Sequence, residues 1–363
     1  MNIALIGNSL ANLVLSKILI KKGIKVCIYH SRDNFKISPT RTIAISKSNV
    51  DFLNDIGLDI SKFSWPIKNI KIFNEKNKFK ELFNFKNKDK YLFLLVRNKS
   101  FFSFLEKSLK KDKNFSMKII NKSFKYNKLI NEQCDIIINS DSKNILSKTY
   151  FSKRIKKNYN SKAITTIINH QVIKNDCAYQ VFTKFGPLAF LPYSKNKTSV
   201  VFSFNNSSKE ISDYQIKSII SKYNKFYKIK SFSIFEKFNL DLSLSKNYYY
   251  KNILGFSDNL HKIHPLAGQG FNMTLRDIKI FGDIVEKKLE LGLPLDNSVL
   301  KDFCKETKHL NQIFSTGIDL IYEFFNFERK LNSQFLSKSL KFIGKNPSLN
   351  KLFTKIADKG SIF

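Results

Sequence analysis

The pattern of apolar positions predicts that the chain begins with a strand, a helix and a second strand. An apolar run at residues 3–6 ends at Gly7, and leucine or isoleucine then recurs at helical spacing as far as Gly23. A second apolar run follows at residues 26–29. Dinucleotides are usually bound on such a βαβ unit, which takes about thirty residues. The first part of the chain is therefore a candidate nucleotide-binding domain.

The pattern changes between residues 163 and 250, where short apolar or alternating runs are separated by turn-rich stretches. These runs lie at residues 164–168, 177–182, 188–191, 200–204 and 231–235. Their length and spacing are typical of an antiparallel sheet. Helical spacing returns from Met273 to Leu291, and two or three further helices are expected from about Ser298 onward. The predicted fold class is α/β with an α+β insertion: a Rossmann-like domain, an inserted antiparallel sheet and a C-terminal helical region.

The charge of the chain suggests a nucleic-acid binder, but the residue types weaken that hypothesis. The chain has 63 Lys and Arg against 29 Asp and Glu, a net charge of +34 at pH 7. Few of these cations are Arg, the residue that base readout favours. Gly is also rare, at 12 residues where about 25 would be average. This composition indicates a bias acting on every position. With no helix-turn-helix, zinc-finger or RRM-like signature, the nucleic-acid hypothesis is the weakest that we consider.

The sequence favours a cytoplasmic protein in a reducing compartment. Its four cysteines are far apart and form no CxxC pair. It has no stretch of about 18 apolar residues and no signal-peptide pattern at the N-terminus. Residues 331–363 set apolar side chains among lysines. That pattern favours either binding to an anionic membrane surface or a terminal helix packed on the domain.

The loop after the first strand departs from the glycine-rich pattern that binds dinucleotide phosphates. The three glycine positions of GxGxxG are occupied by Gly7, Ser9 and Asn12. The second strand ends at His30 rather than at the acidic residue that binds ribose hydroxyls. Taken alone, the loop leaves open an α/β domain that binds no nucleotide.

The most informative segment runs from Asp258 to Asp277 and reads DNLHKIHPLAGQGFNMTLRD. Two Gly within three residues of a Gly-poor chain, directly before a helix, indicate that a ligand approaches this backbone closely. His261 and His264 have a spacing that could suit a metal site. Pro265 argues against a regular helix there, however, and no carboxylate partner is evident. We therefore expect no metal at this segment.

This segment resembles the DxxHxxHPxAGQGxNxxLRD signature of the flavin-dependent aromatic hydroxylases of ubiquinone biosynthesis, in the para-hydroxybenzoate hydroxylase superfamily. RTIAIS at residues 41–46 and GPLAFLP at residues 186–192 resemble two further segments of that family, in the same order along the chain. The resemblance extends over nearly the whole chain and includes the helical region at 301–325. The long signature is its most specific part.

The resemblance implies an FAD-dependent monooxygenase that uses NAD(P)H and O2 to hydroxylate the aromatic ring of a polyprenylated phenol. The cofactor-binding residues that it implies are Gly7, Ser9, Asn12, His30, Arg41, Lys99, Asp258, Gly268, Gly270 and Asn272. The catalytic loop against the flavin ring would be Pro265, Gly268, Gln269 and Gly270, with no general base assigned. An apolar pocket would be lined by Phe182, Phe185, Phe190 and Tyr193, with ordinary core packing as the alternative for each.

Several positions depart from the family pattern near the cofactor. Lys99 stands where the family has Arg, Ser257 where it has Gly, and NSDS at residues 139–142 where it has GADG. Because Ser and Asn tolerate turn conformations, we expect weak FAD binding rather than its loss. The alternative hypothesis is a flavin-poor, non-catalytic subunit of a quinone-biosynthesis assembly.

By this resemblance the FAD-binding domain is discontinuous. Its expected parts are residues 1–70, 95–160 and 250–296. Residues 71–94 and 161–249 are assigned to a substrate domain, and residues 297–363 to C-terminal helices. The expected partners are the prenylated phenol, O2, and either an anionic membrane surface or a quinone-biosynthesis complex. The protein is expected in the cytoplasm, with peripheral binding to the inner membrane as an added hypothesis.

Overall fold

The structure is a computed structural model, and it describes ten ranges of the chain. They are residues 1–31, 37–75, 79, 81–86, 91–121, 123–127, 129–130, 134–205, 211–263 and 268–330. Within these ranges, no helix is long and apolar enough to cross a membrane.

The first layer is a six-stranded sheet that contains the predicted βαβ opening. Its strands are β1 (Asn2–Ile6), β2 (Lys25–His30), β8 (Phe115–Ile119), β9 (Ile136–Asn139), β16 (Tyr249–Tyr250) and β17 (Ile253–Gly255). They lie in the order β16-β17-β9-β1-β2-β8, and all neighbours are parallel except β16 and β17. Both faces of β1 are buried, which explains its continuous apolar run.

Helices cover this sheet on both faces. They are α1 (Leu10–Lys21), α3 (Asn98–Leu109), α4 (Ile145–Tyr150), α6 (Gln269–Glu290) and α7 (Asn297–Lys330). The main core lies between one face of the sheet and α1, α3, α6 and the start of α7. Helix α6 crosses α1 closely, because a Cβ placed on Gly282 would lie 3.0 Å from Cγ2 of Ile18. The predicted helix at 273–291 is thus α6, although α6 begins four residues earlier, inside the signature segment.

A small antiparallel sheet joins the two parts of the molecule. Its strands are β3 (Thr42–Ser46), β4 (Ser64–Ile67) and β7 (Phe93–Arg97), in the order β3-β7-β4, and α2 (Lys47–Asp55) follows β3. The two faces of this small sheet pack into different hydrophobic cores. Ile43 and Ile45 pack into the main core, whereas Leu95 and Phe93 pack towards the large sheet. The small sheet therefore forms a wall between the two layers.

The large sheet has nine strands and corresponds to the predicted antiparallel insertion. Its strands are β5 (Asn69–Asn74), β6 (Glu81–Lys86), β10 (Arg154–His170), β11 (Cys177–Thr183), β12 (Gly186–Ser194), β13 (Lys197–Asn205), β14 (Ile229–Phe232), β15 (Glu236–Ser245) and β18 (His261–Lys262). The main path is β18-β15-β10-β13-β12-β11-β5-β6, and β14 pairs with β10. All pairs are antiparallel except β5 with β11. Helix α5 (Asp213–Tyr223) covers one face.

Some predicted element boundaries differ from the structure for clear reasons. Strand β10 begins ten residues before the predicted run at 164, because its lysine-rich first half alternates between half-buried and exposed positions instead of forming an apolar run. It therefore crosses the expected boundary between residues 160 and 161, where the substrate domain was expected to begin. Helix α5 was not predicted. The described residues after 297 form one long helix instead of several, and residues 331–363 lie outside the described ranges.

Candidate active site

The carboxyl ends of five parallel strands meet at one edge of the six-stranded sheet. Gly7 follows β1 with φ of 102°, and its backbone N–H donates to the carbonyl oxygen of Tyr29 at 2.9 Å. A Cβ on Gly7 would lie 3.0 Å from Oγ of Ser140 and 3.1 Å from Cβ of Asp141, just after β9. Both the backbone angle and this close approach require glycine. The glycine therefore lets the loop after β1 pack its backbone directly against the residues that follow β9.

Ser9 caps helix α1 at this edge. Its Oγ accepts a hydrogen bond from the backbone N–H of Asn12 at 3.1 Å and lies 2.9 Å from Oγ of Ser140. Ser is among the preferred N-cap residues, so the replacement of the second glycine keeps the helix start in place. The positive end of α1 then points to the sheet edge, where it can attract an anion such as a pyrophosphate.

Asn12 stands at the third glycine position, and its buried side chain links helix α1 to the end of β1. Its Nδ2 donates to the carbonyl oxygens of Gly7 at 2.6 Å and Ile6 at 3.2 Å. The side chain is fully buried, and its Oδ1 has no hydrogen-bond partner in the described part of the chain. The amide thus holds strand and helix together where the family uses close glycine packing.

Restoring glycine at this position is therefore expected to destabilise the protein. Asn12→Gly removes both donors from two carbonyl oxygens near the loop and adds a flexible residue to the helix, so we expect the free energy of unfolding to fall by about 2–3 kcal/mol. Lys17→Gly on the same helix carries only the glycine cost of about 1 kcal/mol. Urea unfolding of both variants measures the difference. Equal losses would show that the Asn12 cross-link contributes nothing.

His30 lies at the end of β2, beside the loop, where the sequence comparison expects a ribose-binding residue. Its Nδ1 is buried and has no hydrogen-bond partner among the described residues. One ring nitrogen can accept a single ribose hydroxyl, whereas a carboxylate can accept two with the added strength of its charge. At this position His30 can therefore form fewer and weaker hydrogen bonds to a ribose than the acidic residue of the family pattern.

Asp258 reaches the same edge from β17. It is exposed at the start of a short turn in which Ser257 has φ of 54°, the left-handed conformation that the family's glycine adopts more easily. Asn259 ties the turn to β9, because its Nδ2 donates to the carbonyl oxygen of Asn139 at 3.1 Å. The turn keeps its backbone conformation although the glycine is gone.

Arg154 supports this turn and was missed in the sequence analysis. Its Nη1 donates to the carbonyl oxygen of Asn259 at 2.8 Å, and its Nε donates to Oγ of Ser243 at 2.6 Å. Burial lowers the pKa of the guanidinium, and the negative charge of Asp258 opposes that change. The available signal was the persistence of Arg at this position in a chain that uses Lys almost everywhere else.

The start of α6 presents the second half of the site. Gly268 has φ of 65° and lies at the N-cap, and a Cβ on it would lie 3.5 Å from Cβ of Ala44. Gln269 is only 2% exposed, yet neither its Oε1 nor its Nε2 has a hydrogen-bond partner in the described residues. Gly270 lies inside the first turn. The predicted Pro265 lies outside the described residues.

Asn272 fixes the start of α6 to the small sheet. Its Oδ1 accepts from the backbone N–H of Ser46 at 3.0 Å, and its Nδ2 donates to the carbonyl oxygen of Ala44 at 2.9 Å. The side chain is fully buried. These contacts make Asn272 a positioning residue in this structure, and its predicted contact with the cofactor remains a prediction.

A buried pair inside the signature segment holds α6 from the other side. Nε2 of His261 lies 2.7 Å from Oδ2 of Asp277, and the two side chains are 1% and 2% exposed. Asn311 of α7 donates to Oδ1 of Asp277 at 3.0 Å. The sequence analysis found no carboxylate partner for His261, because the partner lies sixteen residues further along the chain. Within the described ranges, no cluster of three or more His, Cys, Asp or Glu side chains could hold a metal ion.

Arg41 and Lys99 are both exposed and lie next to strands of the small sheet, Arg41 just before β3 and Lys99 just after β7. The loop before Arg41 is held by Glu236 of β15, whose carboxylate accepts from Oγ of Ser38 at 2.5 Å and from the backbone N–H of Thr40 at 3.1 Å. Lys99 lies in the first turn of α3, directly after β7. The structure thus places both cations near the small sheet, and their predicted contact with the cofactor remains untested.

Residues of β12 and the small sheet pack in one cluster, and Ala44 of this cluster adjoins Gly268 at the start of α6. Leu191 and Tyr193 pack in one cluster with Ala44 and Leu95. Phe190 points the other way and is fully buried beneath α5, in the cluster that also includes Phe185. For these two phenylalanines the core-packing alternative is therefore correct, because neighbouring residues of a strand face opposite sides.

These residues fit an FAD. Gly7 lets the loop after β1 pack its backbone against Ser140 and Asp141, and the N-terminus of α1 favours a pyrophosphate. The buried amide of Gln269, at the start of α6, has no hydrogen-bond partner among the described residues. Flavin rings carry both donors and acceptors along one edge, so they can satisfy a buried amide. The weaker part of the fit is the nucleoside end at His30.

Comparison with known proteins agrees with this assignment of the fold. No family model matches the chain. The chain is 23% identical over 241 residues to the mitochondrial ubiquinone biosynthesis monooxygenase COQ6 of Dictyostelium discoideum, a match that covers 52% of this chain and 49% of that protein. The chain thus matches about half the length of this curated relative.

Solved structures match the fold over nearly the whole chain. The p-nitrophenol 4-monooxygenase PnpA of Pseudomonas putida DLL-E4 has a TM-score of 0.77 at 12% identity, covering 98% of this chain and 97% of that one. HpxO of Klebsiella pneumoniae, in a complex with FAD and uric acid, has a TM-score of 0.77 at 10% identity and covers 99% and 98%. The chain has the fold of the flavin-dependent monooxygenases. The predicted fold class and the resemblance to the ubiquinone hydroxylases are confirmed.

Proposed function

We propose that this chain is an FAD-dependent monooxygenase that uses NAD(P)H and O2 to hydroxylate the aromatic ring of a polyprenylated phenol in ubiquinone biosynthesis. The observation that carries the proposal is the start of α6, where the left-handed Gly268 adjoins a buried Gln269 amide that has no hydrogen-bond partner in the described part of the chain. The similarity to a ubiquinone biosynthesis monooxygenase supports the choice of pathway.

The protein's own residues would bind and orient the reactants. Gly7 and the N-terminus of α1 would hold the pyrophosphate, and the start of α6 would stabilise negative charge at the ring edge with its backbone N–H groups. When bound and reduced by NAD(P)H, FAD supplies the electrons that activate O2 for transfer of one oxygen atom. No side chain is assigned as a general base.

The wall between the two layers would exclude water and select an apolar substrate. Ala44, Leu95 and Leu191 pack together in this wall, and Trp65 and Tyr193 add aromatic side chains to it. Exclusion of water protects reactive oxygen species from unproductive breakdown. An apolar wall suits a phenol that carries a prenyl chain. Such a substrate resides in a membrane, and the charge of +34 supports docking on an anionic lipid surface.

The alternative, a flavin-poor and non-catalytic subunit, is motivated by the replaced residues of the phosphate-binding loop. In the structure, Ser9 caps α1 and Asn12 donates a hydrogen bond to the carbonyl oxygen of Gly7. Ser257 adopts a positive φ, as a glycine could. The relatives give the alternative no support. It would gain support only from failure of the chain to bind FAD.

The proposal is tested by following the oxygen atom. The purified full chain is supplied with FAD, NAD(P)H and a phenol that carries a short prenyl chain, under isotopically labelled O2. We expect the phenol to accelerate NAD(P)H oxidation and the hydroxylated product to carry one labelled atom. A parallel reaction with labelled water and ordinary O2 should give unlabelled product. If the FAD-loaded protein ignores the phenol, the proposed reaction is wrong.

A further inference from the structure

Three connections between elements meet at the end of the large sheet where β10 finishes. They are the loop from β10 to β11, the turn from β12 to β13 and the segment between α5 and β14. The backbone N–H of Ile173 donates to the carbonyl oxygen of Lys195 at 3.0 Å. The backbone N–H of Gln171 donates to the carbonyl oxygen of Lys228 at 3.2 Å. The three connections therefore form one continuous surface, which we call the sheet tip (residues 171–176, 195–196 and 224–228).

One buried side chain holds the sheet tip in place. Asn175 is only 3% exposed, and its Nδ2 donates to the carbonyl oxygen of Ser194 at 2.8 Å and to Oγ1 of Thr198 at 3.1 Å. Its Oδ1 accepts from the hydroxyl of Tyr227 at 3.0 Å. Its carbonyl oxygen accepts from Nε1 of Trp65 at 2.6 Å. The loop after β10 is thus fixed to β4, β12, β13 and the segment before β14.

Two consecutive aliphatic side chains of this anchored loop are in contact with solvent. Val172 is 69% exposed and Ile173 is 38% exposed. The other residues of the loop, at 171 and 174–176, are polar or charged. Isolated exposed apolar residues are common on proteins, so the pair alone identifies no partner. The charge around the pair is what distinguishes this surface.

Lysines surround the aliphatic pair. Lys174 follows it in the loop, and Lys195 and Lys228 are the residues whose carbonyl oxygens bind the loop backbone. All three lysine side chains are exposed, whereas Asp176, the acidic residue of the loop, is half-buried. Nucleic acid would match the lysines but not the aliphatic pair. An anionic bilayer matches both, because alkyl groups enter the acyl boundary while ammonium groups stay among the headgroups.

We propose that the sheet tip is the surface by which the protein docks on an anionic membrane, with its aliphatic pair among the acyl chains and its lysines on the lipid phosphates. The inference rests on the proposed function, because a prenylated phenol is the reason for a membrane partner. It adds to that function by assigning the docking to one surface of the fold. The fixed backbone of the tip lets the pair insert without first ordering a loop.

This surface lies next to the wall of the proposed active site. Trp65, whose indole donates to Asn175, packs in the same cluster as Leu191 and Tyr193. Ser194, whose carbonyl oxygen accepts from Asn175, directly follows Tyr193 on β12. Docking by the sheet tip would therefore bring one end of the apolar wall close to the bilayer that holds the substrate.

The test measures binding of the full chain to sedimented vesicles. Vesicles that mix phosphatidylcholine with phosphatidylglycerol should bind the chain, less so at high salt, and vesicles of phosphatidylcholine alone should bind it much more weakly. Val172→Asp should weaken binding by about tenfold or more, because it places a carboxylate where an alkyl group enters the anionic bilayer. Ile313→Asp on α7 is the matched control, since Ile313 is also 69% exposed and β-branched, and it should leave binding unchanged.

A second set of variants tests the lysines and provides a gain of binding. Lys174→Gln and Lys228→Gln should each weaken binding about fivefold. Lys156→Gln, at the opposite end of β10, removes an exposed cation and should change nothing. Val172→Trp should strengthen binding and give a blue shift of fluorescence on addition of vesicles, because Trp favours the membrane interface. Ile313→Trp should show no such shift. A gain of binding cannot result from misfolding.

Three results would overturn the inference. The first is equal binding to charged and neutral vesicles. The second is a loss of binding with Ile313→Asp but not with Val172→Asp, which would place the docking surface on α7. The third is self-association of the chain that Val172→Asp abolishes while vesicle binding persists, which would assign the sheet tip to a second copy. If the chain binds vesicles through the tip but the FAD-loaded protein ignores the phenol, the docking surface stands and only the proposed reaction is refuted.

Discussion

Gly7→Ala is expected to weaken FAD binding by about 100-fold, which corresponds to about 2.7 kcal/mol. An alanine at φ of 102° is strained, and its Cβ would press on Ser140 and Asp141 at 3.0 and 3.1 Å. Relief of this strain moves the loop off the pyrophosphate. Fluorescence titration of FAD into the purified variant measures the loss.

Gly23→Ala provides a matched control at the other end of α1. Gly23 also has a positive φ, of 77°, but nothing lies within 4 Å of its Cβ position. This variant should lose about 1 kcal/mol of stability and keep the FAD affinity of the unaltered chain. If both variants bind FAD as well as the unaltered chain does, Gly7 is not part of the cofactor site.

Asp277→Ala is expected to lower the free energy of unfolding by about 3–5 kcal/mol. The change leaves His261 and Asn311 buried without their shared acceptor, at a point where α6 and α7 pack together. The contact between His261 and Asp277 also joins the two ends of the signature segment, so the affinity for FAD should fall as well. Urea unfolding measures the first effect and FAD titration the second.

Asp283→Ala on the same helix is the control for this prediction. Asp283 is exposed, and substitutions at such positions usually change stability by no more than about 0.5 kcal/mol. Asp277→Asn keeps the shape of the side chain and one acceptor oxygen. Its loss of unfolding free energy should therefore lie between those of Asp277→Ala and Asp283→Ala. A loss for Asp277→Ala as small as that for Asp283→Ala would show that the buried pair has no structural role.

The elements that the sequence predicts correctly are those formed by residues close together in the chain. The βαβ opening and the helix after the signature are contiguous in sequence, so apolar spacing alone reveals them. Glycine was more informative than charge: Gly7 and Gly268 both have positive φ in this glycine-poor chain. The replaced glycine at Ser257 also has positive φ, so loss of Gly there did not mean loss of the turn.

Contacts between distant segments could not be predicted in the same way. The parallel pairing of β5 with β11 joins residues more than 100 positions apart. The cross-link from Asn12 to Gly7 and the hydrogen bond from Arg154 to the carbonyl oxygen of Asn259 are side-chain contacts that no apolar pattern encodes. Phe190 is an intermediate case. Its burial beneath α5 follows from strand alternation once the facing side is known, but the sequence does not say which side faces the pocket.

The most direct test of the account is an equilibrium titration of FAD into the purified full chain, followed by flavin fluorescence. The account predicts saturable binding of a single FAD per chain, weakened by Gly7→Ala and unchanged by Gly23→Ala. A chain that stays colourless and shows no saturable binding when FAD is supplied would contradict the account, since every proposed catalytic role depends on the cofactor.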